Sequence, residues 1–232
     1  MLRAVGDAVG FKLEPHPNHN RTMGRLDAFL ASMVMDFDKW HDGTGYAIEL
    51  LDEMTPEERD QAQTTLLGRA FDWRELEALD RLGTPAAIAA ILQARTSSDV
   101  NLRLAACKYG PPDDEVRERA IVAALKLDAI PLGVFDDAAE LPTAGVIDAL
   151  WKCAERCVEV EGYQAAITLL CISGKVDSTY SMAYRPLCLR FTEAADRPEA
   201  LAALRKAIGS TPKRDGPNTR NESESLTPDD AV

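Results

Sequence analysis

Helix starts and stops follow one another so closely in this chain that little besides short, packed helices fits between them. Thr55-Pro56-Glu57-Glu58 places a hydroxyl cap, a proline at the first helical position and an acid three residues after the cap. A hydroxyl there accepts from a free backbone N–H while the acid reaches back to the cap's own N–H. The spacing predicts a helix to about Ala70. Asp72-Trp73-Arg74-Glu75 repeats the arrangement and opens a helix with Leu76, Leu79 and Leu82 on one face, stopped by Gly83. Thr84-Pro85 starts another at once, with Ile88, Ile91 and Leu92 as its apolar stripe. Asp196 to Glu199 has the same box spacing before a last helix bearing Leu201, Leu204 and Ile208. Val158-Glu159-Val160 is the one local alternation, and it sits in helical context. The expected fold class is all-α: helices of roughly 10–16 residues joined by short turns form antiparallel pairs, and stacked pairs build an α-solenoid.

Composition agrees. Only 6% of the residues are aromatic, and alanine and leucine carry much of the 46% apolar content, a mixture that suits close helix packing better than β-sandwiches. Residues 1–22, with Pro15, Pro17, Asn18 and Asn20, read as a weakly ordered leader, and residues 209–232 as a polar, Pro/Gly/Ser-rich tail. The helical domain is expected over 23–208. Met23, Met33 and Met35 are alternative translation starts, since strong patterning begins after them. Asp7 interrupts the N-terminal apolar residues, so no secretory signal is read, and no run approaches the roughly 18 apolar residues of a membrane span. Five scattered cysteines, Cys107, Cys153, Cys157, Cys171 and Cys188, suggest reduced core thiols rather than a disulfide framework. Together these point to the cytoplasm.

An internal similarity sharpens the architecture. Asp72-Trp73-Arg74, Ala78-Leu79 and Leu82-Gly83 align with Asn101-Leu102-Arg103, Ala106-Cys107 and Tyr109-Gly110 at an offset of 29 residues from Arg74 to Arg103. Thr84-Pro85 lies the same distance before Asp113-Asp114. Over residues 72–128 these motifs resemble HEAT-type repeats, in particular the short bacterial class related to phycobilisome-lyase HEAT repeats. The resemblance implies that Arg74 and Arg103 are scaffold residues stapling neighbouring repeats. It fades after Pro131, leaving residues 142–208 as degenerate repeats or a capping subdomain.

Charge limits the partners. The chain carries 26 basic and 38 acidic residues, a formal net charge of −12, which argues against binding the phosphate backbone of nucleic acid. The acids come in two blocks: residues 36–80 have a net charge of −9 and residues 113–161 of −7, whereas 81–112 have +3. Such blocks steer association with a basic partner, or simply keep a surface solvated.

The densest polar stretch runs from Asp36 to Gly45. Read from Asp38 it mimics part of a calcium loop, with Asp42, Gly43 and Glu49 in register, but Trp40 stands where an oxygen ligand is needed. The plainer reading is a glycine-rich turn before a helix from Tyr46 to Met54, with Trp40 packed on the first hairpin. His41 lacks a second histidine in ordered sequence, so it reads as a contact residue and no metal is expected. Cys153 and Cys157, four apart, should share an apolar helix face. Tyr180-Ser181-Met182-Ala183-Tyr184-Arg185 suits either a packed join between helices or an interface anchor. No nucleophile elbow, phosphate-binding loop, dinucleotide fingerprint or zinc-protease motif is present, so neither catalytic residues nor a cofactor is expected.

The resulting expectation is a non-enzymatic helical-repeat module that binds another, basic protein. Its most concrete form is a bacterial immunity or antitoxin-like protein masking a basic toxin. Contacts are expected from Asp38, Trp40, His41 and Asp42, with Asp52, Glu53 and Glu57 as steering charges. A scaffold or assembly factor, or the lyase/chaperone role the resemblance implies, stands as the alternative.

Overall fold

The capping boxes at Thr55 and Asp72 form, whereas Glu199, at the third box spacing, is paired with Arg190 at 2.7 Å. Thr55 Oγ1 accepts from Glu58 N at 3.3 Å while the Glu58 carboxylate accepts from Thr55 N at 2.9 Å. Asp72 accepts from Arg74 N at 2.7 Å, and Glu75 accepts from Asp72 N at 3.0 Å. Each box satisfies backbone donors that a helix start leaves free, worth about 1 kcal/mol per cap. Gly83 ends its helix in the left-handed region (φ 64°), where a Cβ would be strained.

The computed structural model describes residues 24–209, and among them the chain is all-helical, with twelve α-helices, two 3₁₀ segments and no strand. The leader and nearly all of the tail lie outside the described residues; Gly209 closes the last helix. The chain divides into two compact units between Ile91 and Leu92.

The first unit contains α1 (Arg25–Ser32), α2 (Phe37–His41), a 3₁₀ segment (Ile48–Glu53), α3 (Pro56–Leu67), α4 (Trp73–Leu82) and most of α5 (Pro85–Ala94). Phe29 on α1 is fully buried and meets Tyr46 edge-on at 6.3 Å. Patterned, buried sequence therefore begins before Met33. The helix expected over Tyr46–Met54 is a 3₁₀ segment instead. Ile48, Leu51 and Met54 recur at three-residue intervals, the period at which 3₁₀ side chains align, and Leu51 and Met54 are buried. The helix from Thr55 stops at Leu67, short of the expected Ala70, with Gly68 at its C-terminal boundary.

The second unit contains α6 (Val100–Ala106), α7 (Asp114–Ala124), α8 (Gly133–Glu140), α9 (Ala144–Arg156), α10 (Glu159–Ile172), α11 (Arg185–Leu189), a 3₁₀ segment (Arg190–Thr192) and α12 (Arg197–Gly209). Helix α10 is its axis, packed by α8, α9, α11, α12 and the 3₁₀ segment. Six consecutive residues, Ala165 to Leu170, are buried, so this helix is enclosed all round rather than along one stripe. Gly162 permits the approach: a Cβ there would lie 2.8 Å from the Cys157 carbonyl oxygen and 2.9 Å from that of Phe191.

Arginines serve the C-terminal ends of α4, α6, α7 and α9, since the last carbonyls of a helix lack intrahelical partners. Arg59 donates to the Leu82 carbonyl at the end of α4, and Arg95 to those of Ala106, Tyr109 and Pro111 after α6. Arg156 donates to Leu125, Lys126 and Leu127 after α7, and Arg197 to Glu155 and Arg156 at the end of α9.

The 29-residue offset is kept by one helix pair and lost by the other. Thr84 and Asp113 cap α5 and α7 in the same way, each accepting from the N–H three residues on. The caps of α4 and α6, however, are Asp72 and Asp99, 27 positions apart. Arg74 therefore stands two residues after its cap and reaches back to the Thr44 carbonyl at 2.9 Å. Arg103 stands four after its cap and turns to the Ser97 carbonyl at 2.7 Å. Their sequence alignment does not make them equivalent in space.

Candidate partner-binding surface

Helix α2 is one turn long and buries none of its residues. It forms because Asp36 caps it, accepting from Lys39 N at 2.9 Å, and because Lys39 Nζ reaches the Val34 carbonyl at 3.0 Å. Phe37, Trp40 and His41 stand three and four residues apart and so share a face. The Phe37 ring centroid lies 6.3 Å from that of Trp40 and 5.8 Å from that of His41. Phe37 is 71% and Trp40 63% exposed, with exposed Val34 just before them. The packed Trp40 of the glycine-turn reading is thus corrected: Phe29, Tyr46 and Leu51 fill the core of this unit, and the indole faces solvent. Phe37 escaped the sequence reading because a phenylalanine beside a charged run looks like the first core residue of a helix.

The acids expected to act with this cluster fall into two kinds. Asp38 and Asp42 are exposed on and beside α2, and Asp42 Oδ1 lies 3.1 Å from His41 Nδ1. Asp52 is instead paired two-pronged with Arg81, which holds its carboxyl below the usual carboxylate range. Glu53 is paired with Arg25 at 2.9 Å. Glu57 is exposed in the first turn of α3. Two of the three steering charges therefore already have cationic partners within the chain. Among the described residues no three His, Cys, Asp or Glu side chains converge as metal ligands.

A buried polar network, invisible to sequence patterning, fixes the loop on which α2 is mounted. Glu75 is 2% exposed; it accepts from the Tyr46 hydroxyl, from Arg69 Nε at 3.0 Å and from Asp72 N at 3.0 Å. Burial, then the bond to Glu75, pushes the Tyr46 phenol well above its ordinary value. Arg74, also buried, ties Thr44 to α4 and stacks 4.6 Å from the Trp73 ring. Ser32 Oγ accepts from Ala47 N at 3.0 Å, closing the other end of the loop on α1. A capping box was legible here as a cap; its Glu75 is also a hub, because Tyr46, twenty-nine residues back, folds onto it.

The second unit offers weaker candidates. Cys153 and Cys157 have their sulfurs 3.6 Å apart, but α9 ends at Arg156, so Cys157 lies beyond the helix rather than on a shared face. Burial raises the Cys153 thiol and pushes Cys188 up to about 11, the condition of unreactive packing thiols. Tyr180 and Met182 are exposed rather than packed in a join, with the Tyr180 hydroxyl donating to Asp136 at 3.3 Å.

Comparison with known protein families, curated proteins and solved structures finds no match to this chain. Among the described residues no helix is long and apolar enough to cross a membrane.

Proposed function

We propose that this chain is a non-enzymatic, HEAT-like helical-repeat module that binds a basic protein through the surface centred on α2. The observation that carries the reading is the outward-facing Phe37–Trp40–His41 cluster set among Asp38 and Asp42. An exposed aromatic patch on a rigid mount is what partner recognition uses, and such anchors contribute roughly 2–4 kcal/mol each when buried in a partner's pocket. The flanking carboxylates select a partner that brings lysines or arginines. Most concretely, the partner is a basic toxin and the chain an immunity or antitoxin-like protein.

The packing order supports the repeat reading. In the second unit α7 packs on α8 and α9, and α10 on α8 and α9, so these four helices meet neighbours or next neighbours as stacked helix pairs do; α12 instead returns to pack on α9 and α10.

The test is capture from native lysate by the full chain and by a Phe37→Ser/Trp40→Ser double variant at low and high salt. We expect one basic protein retained by the wild type, released by salt and lost by the variant. Identical capture by both chains would overturn the proposal.

A further inference from the structure

Within the second unit, and apart from α2, lies a cavity of about 350 Å³ between the last turn of α5, the segment after it, α6 and the first turns of α7. Three arginines line it, Arg95, Arg103 and Arg119, against one acid, Asp113; Leu92 and Val116 supply apolar wall. Two of these arginines belong to the stretch 81–112, the basic interval between the chain's acidic blocks.

What distinguishes these cations is how they are held. Arg95 is 7% exposed, and its bonds to Ala106, Tyr109 and Pro111 at 3.1, 2.6 and 2.7 Å all go to backbone carbonyls. Carbonyl dipoles orient a guanidinium but do not neutralise it, and a desolvated charge without a counter-ion is costly. Arg103 is likewise held by a carbonyl, that of Ser97. Among the described residues neither is ion-paired with a carboxylate. Arg119 has only the loose approach of Glu115 at 3.7 Å, so its exposed side chain can swing inward.

We propose that this cavity is a binding site for a small phosphomonoester with an apolar body. Three guanidinium charges against one carboxylate leave the lining two charges positive, which a dianionic phosphate balances and a monocarboxylate does not. Arginine's planar fork matches phosphate oxygens two at a time. The volume selects for the body: small-ligand sites measure roughly 300–1,000 Å³, and a bare phosphate, displacing a few waters of roughly 30 Å³ each, fills only part of the space. The remainder meets Leu92 and Val116, while Asp113, whose Oδ1 accepts from Val116 N, keeps a second oxygen for a ligand hydroxyl or amine.

Calorimetric titration of the full chain tests this with phenyl phosphate, inorganic phosphate and benzoate as probes. Phenyl phosphate should bind at least roughly tenfold more tightly than either of the others, a difference of about 1.4 kcal/mol. The Arg103→Gln/Arg119→Gln variant should lose at least that factor with its helical circular dichroism unchanged. Should the double variant lose helicity, Arg119→Gln alone, altering an exposed side chain, carries the comparison and should weaken binding several-fold. Absence of phenyl phosphate binding, equal binding of benzoate, equal binding of inorganic phosphate, or unweakened binding by the folded variant would each overturn the proposal. The α2 capture experiment is unaffected by any of these results.

Discussion

The two units solve the problem of burying charge in different ways. In residues 24–91 the buried ions lie at the centre of the unit's design: Glu75 collects Tyr46, Arg69 and the Asp72 amide, and Arg74 ties down Thr44. In residues 92–209 the centre is an enclosed apolar helix, and the buried ions are peripheral. There Asp137 is met by Lys108 at 2.9 Å and Arg117 at 3.3 Å, and Arg95 holds carbonyls at the last residue of α6 and just beyond it. Apolar burial is non-directional, whereas hydrogen bonds fix angles. The unit that must hold a one-turn helix out in solvent uses directional bonds; the unit that surrounds α10 relies on packing.

Three substitutions sharpen or break this contrast, the first two followed by peptide-resolved hydrogen exchange on the full chain and the third by denaturant stability measured against pH. The largest effect is expected from Glu75→Ala, which leaves the buried Tyr46 hydroxyl and the Asp72 amide without their acceptor and takes the partner from half-exposed Arg69. It should cost about 3–4 kcal/mol for the lost bonds to a charged acceptor and raise exchange through residues 44–82. Little change there would show that the network is ornamental. Leu170→Ala removes a fully buried side chain from α10 and should cost about 3 kcal/mol, with the faster exchange centred on α8 to α12. A loss confined to α10 itself would mean that this helix is not the unit's axis.

The smallest is Tyr46→Phe, about 1 kcal/mol at neutral pH for one lost hydrogen bond, and its interest lies in alkali. A phenol whose folded pKa is raised keeps its proton in the native state while the unfolded chain releases it. Its contribution is therefore complete below the ordinary value of 10.0 and is lost as pH rises above it. The wild type should lose stability above pH 10 by up to roughly 1.4 kcal/mol per pH unit more steeply than the variant. Parallel curves for the two proteins would separate Tyr46 from the alkaline transition.

The helix starts at Thr55, Asp72 and Thr84 were readable because a cap is a local bargain between a side chain and amides two or three residues on. The stop at Gly83 was readable for the same reason. The 29-residue repeat was readable only where it coincided with caps, at Thr84 and Asp113; between α4 and α6 a two-residue slip moved Arg103 onto a different carbonyl. Of the surface residues, Trp40 and His41 stood out by type, but Phe37 did not, because exposure is decided by which side chains reach the core first. The pairing of Asp52 with Arg81 and of Glu53 with Arg25 was equally hidden, since twenty-eight or twenty-nine residues separate the partners.

The residues alone determined the helical character of the described residues, the caps at Thr55, Asp72 and Thr84 and the alternation of acidic and basic stretches, because each depends on neighbours within about one helical turn or on simple counting. Tertiary structure decided the rest. It turned Glu75 from a cap into a hub, made α10 an enclosed axis, left the α2 rings in solvent, and gathered Arg95, Arg103 and Arg119 round one cavity. These outcomes depend on segments remote in sequence competing for the same interior volume, and the chain's local preferences do not rank that competition.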